Sequence, residues 1–417
     1  MAGRAGLNPS TLVVVLLAAG FAPAGLSQES DFGIGVPVTA SAGALDSPRL
    51  QLSNPAAERA AFGFRVMLYL TLKLGKHWFA YAAVQTRLMP YFYYDAFLRD
   101  RGIATNLVQG YAGYSLQKGH STLAIKAGQL VSVFGSFPLR YDDMDNPVLD
   151  QPLSYITMMP IRTDQLVCGT ADLLRQHYGS VSGSCGGAAG RGGGLTPVTL
   201  YGLPGVQAEI SLRQFDARLQ VTSGSPAYPA NWRDFHQYAQ WTAGMGYTIR
   251  QGFRVGASVF TGPYLESDVA ADLPHGATVR DFPATGMGLD GQWARGRWSV
   301  FGEWQRIRFD MPHFVVSPSI DTGYGEAKSI LTPRLYVAGR IGWLRPGRVT
   351  DTAGVTAGRF APTLTSYELA GGFWLNRHQL LKASYSWLFS AGQTGIRYDV
   401  YGIALITRFT PPALAFR

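Results

Sequence analysis

Charge is scarce in this chain, cysteine is nearly missing, and long apolar runs are absent beyond the first thirty residues. Asp, Glu, Lys and Arg make up 15% of 417 residues, against about 25% in soluble domains. Hydrophobic residues nevertheless reach 47%, and a chain so apolar and so thinly charged is not intrinsically disordered. No uncharged apolar stretch after residue 30 approaches eighteen residues, which excludes a bundle of membrane-spanning helices. No cysteine precedes Cys168, so lipid attachment at a new N-terminal cysteine is excluded. Glycine, by contrast, is plentiful at 50 residues, and aromatics reach 12%. What remains is a glycine- and aromatic-rich β protein, either soluble or in a membrane.

The amino terminus sets the compartment. Arg4 precedes the apolar run Leu12 to Ala22, and small residues follow around Ala22-Pro23-Ala24 and Gly25-Leu26-Ser27. That is the layout of a secretory signal peptide over residues 1–27, too short to span a bilayer comfortably. In an exported chain the pair Cys168 and Cys185, within a Gly/Ser-rich stretch, reads as one disulfide. Closing such a loop contributes on the order of 3 kcal/mol in the chain-entropy picture. A metal site would need more ligands than the single nearby His177.

Period two runs through nearly all of residues 28–417. In FRVMLYLTLKL, Phe64, Val66, Leu68, Leu70, Leu72 and Leu74 share one face, while Arg65, Met67, Tyr69, Thr71 and Lys73 share the other. Strict alternation over this length is a strand signal, and the length suits a tilted membrane-spanning strand. Val108, Gly110, Ala112, Tyr114 and Leu116 form a similar apolar face, and the same alternation recurs from Val206 to Tyr385. Short turns are expected near 76, 119, 213, 251, 295, 332 and 377. Long connections are expected at about 46–60, 89–105, 133–205, 224–234, 266–283, 310–319, 345–362 and 390–397. With weaker strands at 32–41 and 320–331, these fifteen connections join about sixteen strands. An even count, with short turns at one end and long loops at the other, describes a transmembrane antiparallel β-barrel. A soluble sandwich would carry a charged outer face; here the polar face is mostly Gly, Ser, Thr, Tyr and Gln. Reversing the Phe64–Leu74 register would put Arg65 and Lys73 into lipid at roughly 2–4 kcal/mol each. Aromatics such as Trp78, Phe79, Trp298 and the Tyr91–Tyr94 run suit interfacial girdles. Arg306 and Arg308 share parity with Trp298 and Val300, so that strand is expected to end or bulge near Gln305.

Catalytic motifs are wanting. Gly286-Met287-Gly288-Leu289-Asp290-Gly291 matches G-x-G-x-x-G but sits inside an alternating strand with no helix to follow, which speaks against dinucleotide binding. Small residues that let neighbours approach closely are the better account. No H-E-x-x-H, G-x-S-x-G or P-loop occurs, and the seven histidines are scattered. No metal or cofactor is called for and the chain is not expected to be an enzyme, although a Ser–His hydrolase needs no sequence proximity.

The segment 133–205 is the longest connection, rich in proline and therefore not expected to form strand. Asp142, Asp143, Asp145 and Asp150 cluster in it. These acids fit a constriction loop folded into the lumen against basic wall residues; a Ca²⁺ site or a solvated outer loop are the alternatives. Inward parity on the wall falls on Arg65, Lys73, Arg87, Lys126, Arg218, Arg254, Arg340 and Lys382, and on Glu209, Asp216, Asp290, Glu303 and Glu368. The mild basic excess favours anions, unless cross-strand pairs neutralise it. A pI near 9.5 does not point to nucleic acid, because the cations fall about one per strand.

The leader, the strand count and the segment Lys126-Ala127-Gly128-Gln129-Leu130, Val131-Ser132-Val133-Phe134-Gly135, Ser136-Phe137-Pro138-Leu139-Arg140 resemble the porin superfamily of Gram-negative outer membranes. The layout is nearest to the phosphate-selective (O/P-type) porins, in which an FG-containing loop after a strand begins a pore-constricting segment. Tyr401-Gly402-Ile403-Ala404-Leu405-Ile406-Thr407-Arg408-Phe409 is similar to the terminal signal read by the barrel-assembly machinery, except that TPPALAFR follows it. The resemblance implies a homotrimer in the outer membrane, surrounded by lipid, passing small hydrophilic solutes, with anions among them. With six lysines this chain lacks the dense cationic ladder of that family, so phosphate selectivity is not carried over. A plugged barrel acting as an anchor or adhesin, or an embedded hydrolase, are the alternative functions.

Overall fold

The computed structural model describes residues 32–46, 60–89, 102–177, 184–187, 194–199, 202–227, 239–391, 397–411 and 414–416. The expected leader, residues 1–27, and the aromatic run 91–94 lie outside them. Alternating sequence becomes a closed antiparallel barrel of sixteen strands. β1 runs in two pieces, Phe32–Gly35 and Val38–Asp46. There follow β2 (Ala60–Leu74), β3 (Trp78–Met89), β4 (Gly102–Lys118), β5 (Ser121–Leu130), β6 (Leu203–Leu212), β7 (Phe215–Thr222) and β8 (Gln240–Arg250). The second half comprises β9 (Phe253–Pro263), β10 (Pro283–Arg295), β11 (Trp298–Phe309), β12 (Ser319–Thr332), β13 (Leu335–Pro346), β14 (Thr363–Asn376) and β15 (Gln379–Ala391). β16 again has two pieces, Arg397–Phe409 and Leu414–Phe416.

Closure joins β1 to β16. Val38 pairs with Phe409 and Asp46 with Tyr401, while Phe32 pairs with Phe416 and Ile34 with Leu414. Both strands break at the same level, at Val36-Pro37 and at Thr410-Pro411, because proline offers no N–H to a ladder. The residues after the β-signal-like segment thus resume pairing instead of trailing free.

Where a strand has an apolar parity over its middle, that face lies outside. Val206, Met245, Val259, Leu289, Leu369 and Ile403 are among the exposed large hydrophobics, a continuous exterior far larger than the few hundred Å² a soluble monomer tolerates. Aromatics gather towards the strand ends. Trp78 meets Tyr114 edge-on at 4.9 Å near the short turns, and Tyr367 stacks on Trp387 at 5.2 Å near the loops.

Three expectations need correction. Val108 does not join the apolar exterior: a register shift opposite Ala83/Val84 turns it inward, where it packs with Met67 and Ala83. β11 neither ends nor bulges near Gln305, since its pairing with β10 and β12 runs unbroken to Arg308 and beyond. The two arginines stay outward because the alternate positions, Ile307 and Phe309, are fully buried in an apolar core inside the loop end of the barrel. At this end of the barrel the polarity of the two faces is simply exchanged. Finally, the proline-rich connection is not free of regular structure: Gln165–Val167 pairs with Ser184–Gly187, and Thr170–His177 is helical.

The folded-in segment and the candidate passage

After Leu130 the chain turns into the barrel, and the next strand of the wall begins at Leu203. Gly135 makes this turn, with φ of +81°; a Cβ there would also run into Glu303 and Tyr155. Phe134, on one side, sets its ring edge-on against Phe260 at 4.7 Å. That contact needs a bare backbone opposite, and Gly286 of the G-x-G-x-x-G stretch lies under the Phe260 ring. On the other side, the amides of Ser136 and Phe137 both donate to Glu303 at 3.2 Å. The Tyr155 hydroxyl donates to the same carboxylate at 2.6 Å, and Gln305 reaches it too. Glu303 is 4% exposed, so these donors take the place of water around its carboxyl group.

Further along, the segment is fastened by ion pairs. Arg140 bonds Glu326 at 2.6 Å and Tyr324 at 2.7 Å, with its guanidinium 3.9 Å above the Phe301 ring. Arg340 bonds the other Glu326 oxygen at 2.5 Å and also holds Asn146 and the Asp150 carbonyl, each at 2.7 Å. The Glu368 carboxylate accepts from the amides of Leu149 and Asp150. Lys382 is capped by the carbonyls of Asp143, Asn146 and Val148.

The aspartate cluster faces the first and last strands. Asp143 pairs with Arg65 at 2.5 Å and accepts from Ser41 at 2.6 Å. Asp142 accepts from Tyr69 and pairs with Arg408 at 3.0 Å, while Asp145 shares Arg408 at 3.2 Å. Burial alone would push the Asp142 carboxyl up, but the Tyr69 hydroxyl, the Met144 amide and Arg408 together outweigh it and hold the group below the ordinary carboxylate range. Among the described residues no group of three or more His, Cys, Asp or Glu is placed to hold a metal ion.

The predicted wall charges therefore separate by environment. Arg65, Arg340, Lys382, Glu303 and Glu368 point inward but are covered by the folded-in segment. Lys126 and Glu209 pair at 2.8 Å with 16% and 29% of their side chains still accessible. Arg254 bridges Asp216 at 2.8 Å and Asp290 at 3.1 Å and is itself 19% accessible. Arg218 lies directly across from Glu209 on the neighbouring strand. Lys73 and Arg87 share inward parity with Arg65, opposite Phe79 and Arg65 respectively. Asp150 also fixes the amide of Gln151. Between the segment and β1–β4 lies a cavity of about 490 Å³, lined by Tyr69, Tyr81, Leu139, Tyr141, Asp142 and Arg408 among others.

Several contributors were not singled out from sequence. Tyr324 and Glu326 lie on β12, whose outward face holds Gly323 and Gly325, so no apolar stripe marks its parity. Arg408 follows from extending the alternation of β16. Arg140 and Tyr155 sit in the segment itself, where period two gives no guide.

No family model matches the chain, and no curated protein matches it. Solved structures do. The outer membrane channel DcaP of Acinetobacter baumannii is 10% identical, with a TM-score of 0.55 over 93% of this chain and 100% of that one. The anion-selective porin from Comamonas acidovorans is also 10% identical, with a TM-score of 0.52 over 91% and 100%. OmpT of Vibrio cholerae, expressed in the outer membrane, is 8% identical, with a TM-score of 0.52 over 92% and 100%. At such identity the likeness is one of fold: this is the barrel architecture of outer-membrane proteins.

Proposed function

We propose that the protein is an outer-membrane channel for passive diffusion of small hydrophilic solutes, narrowed by the segment 133–205. The observation that carries this reading is the division of the inward charges. Dry pairs fasten the segment to one side of the wall, while Lys126, Glu209, Asp216, Arg218, Arg254 and Asp290 border the space it leaves. Fixed charges bordering water set the entry barrier for ions. Here three cations face three anions, and of the basic excess read from the wall only Lys73 and Arg87, also of inward parity, are left over, so discrimination by charge is weak. Purified protein in planar bilayers should open in steps, with a reversal potential near zero across a KCl gradient. Absence of steps would overturn the channel; strong preference for either ion would overturn the balanced wall.

A disulfide between Cys168 and Cys185 belongs to this proposal. Val167 pairs with Ser184 in the short sheet, Cys168 is disulfide-bonded, and Cys185 is the only other cysteine. Thiol labelling of the unreduced protein should find no reactive cysteine. The resemblance adds a homotrimer, to be read from the mass of the detergent-extracted complex. Two histidines at the short turns have other partners: His77 bonds the Ser115 carbonyl and His378 accepts from the Arg377 side chain, and both bonds are exposed.

A further inference from the structure

On three neighbouring strands the exterior changes character within one rung of the ladder. Trp304, Gly323 and Trp343 face outward side by side, and the next rung towards the loops carries Arg306, Asp321 and Arg345. The Trp343 ring lies across Gly323, where a Cβ would sit 2.5 Å from it. Both indoles aim their N–H at Asp321, Trp304 at 2.9 Å and Trp343 at 3.3 Å. The carboxylate is thereby turned down towards the tryptophans. Among the described residues, Arg306 and Arg345 are exposed and form no ion pair, whereas Arg308, farther out, pairs with Asp310 at 2.6 Å. Nor can the arginines turn inward, because Ile307, Ile320 and Leu344 fill that side.

Tryptophans of this kind settle where hydrocarbon meets headgroups. One rung is two residues, about 7 Å along a strand, which lifts the guanidinium groups into the headgroup layer. Two strand spacings put their roots about 10 Å apart. Guanidinium forks suit phosphate oxygens, and their weak hydration favours such pairing at an interface. Asp321 keeps the two forks apart, and the indole donors temper its repulsion of an anion. We infer that Arg306 and Arg345 form a lipid site on the barrel exterior that holds the phosphate groups of an outer-leaflet glycolipid. This rests on the membrane placement proposed above but not on channel activity.

The test uses the full-length protein in detergent, mixed with diphosphorylated lipid A or with the same lipid after phosphatase treatment, and read by native mass spectrometry. The wild type should retain the phosphorylated lipid, and R306Q/R345Q should lose about tenfold in retention, equivalent to 1.4 kcal/mol. R306K/R345K, which keeps the charge, should retain an intermediate amount. Equal retention by the wild type and R306Q/R345Q would overturn the site, as would equal retention of the dephosphorylated lipid. Displacement by millimolar inorganic phosphate would also overturn it, reducing it to a simple ion site. In liposomes, lipids brominated along the chain should quench tryptophan fluorescence; failure there would instead remove the membrane placement.

Discussion

Replacing Glu303 with alanine should widen the channel and loosen the barrel together. The amides of Ser136 and Phe137 and the hydroxyl of Tyr155 would each lose a buried acceptor. An unsatisfied buried donor costs about 1–3 kcal/mol, so a loss of roughly 3–5 kcal/mol is expected after some water enters. Because these donors stand where the segment first meets the wall, their release should detach its start. Single-channel conductance should rise severalfold, and proteases should cut near Phe137 in the folded protein. Glu303→Gln, which keeps one acceptor oxygen, should lie between. Unchanged conductance and protease resistance in Glu303→Ala would show that the segment is held elsewhere.

Arg340→Met should be comparably damaging through a different mechanism. Glu326 is shared by Arg140 and Arg340 and is 2% exposed. Breaking one side of a buried ion pair costs about 3–5 kcal/mol, because the remaining charge has neither water nor a full partner, whereas exchanging the whole group for apolar residues is often close to neutral. Arg340→Met combined with Glu326→Gln should therefore recover part of what Arg340→Met loses. The remainder reflects the bonds from Arg340 to Asn146 and the Asp150 carbonyl, and the Arg140–Glu326 ion pair that is lost when Glu326 is neutralised. Denaturant titration of refolded protein in detergent measures both. If the double variant is no more stable than Arg340→Met, the Glu326 charge is not what the arginine stabilises.

The barrel was legible in the sequence because its rule is local. Period two fixes which face of Phe64–Leu74 is greasy, and a glycine-bearing turn such as Lys118-Gly119-His120 fixes where a strand reverses. The weak strands at 32–41 and 320–331 follow only from the even number of strands that the connections require. The rule failed where environment overrode it. Val108 sits at a bulge that no residue type announces. Arg306 and Arg308 obey the alternation, but at their level the apolar core lies inside the barrel, around Ile307 and Phe309. The site was half legible. Inward parity named Arg65, Glu303, Arg340 and Lys382, but nothing in the alternation says that a distant segment covers them while Lys126, Glu209 and Arg254 stay wet. That distinction depends on contacts such as Glu303 with Ser136, which join residues far apart in the chain.

The paired interruptions at Pro37 and Pro411 divide the seam between first and last strands into two zippers. Nine residue pairs lie on the loop side and three on the turn side. The longer zipper alone completes the cylinder. The shorter one, made by Leu414–Phe416, acts as a latch that covers the otherwise bare edge of Phe32–Gly35, which already leans on β2 through Thr71–Leu74. A chain shortened after Phe409 would therefore still be a closed tube, with one open hem.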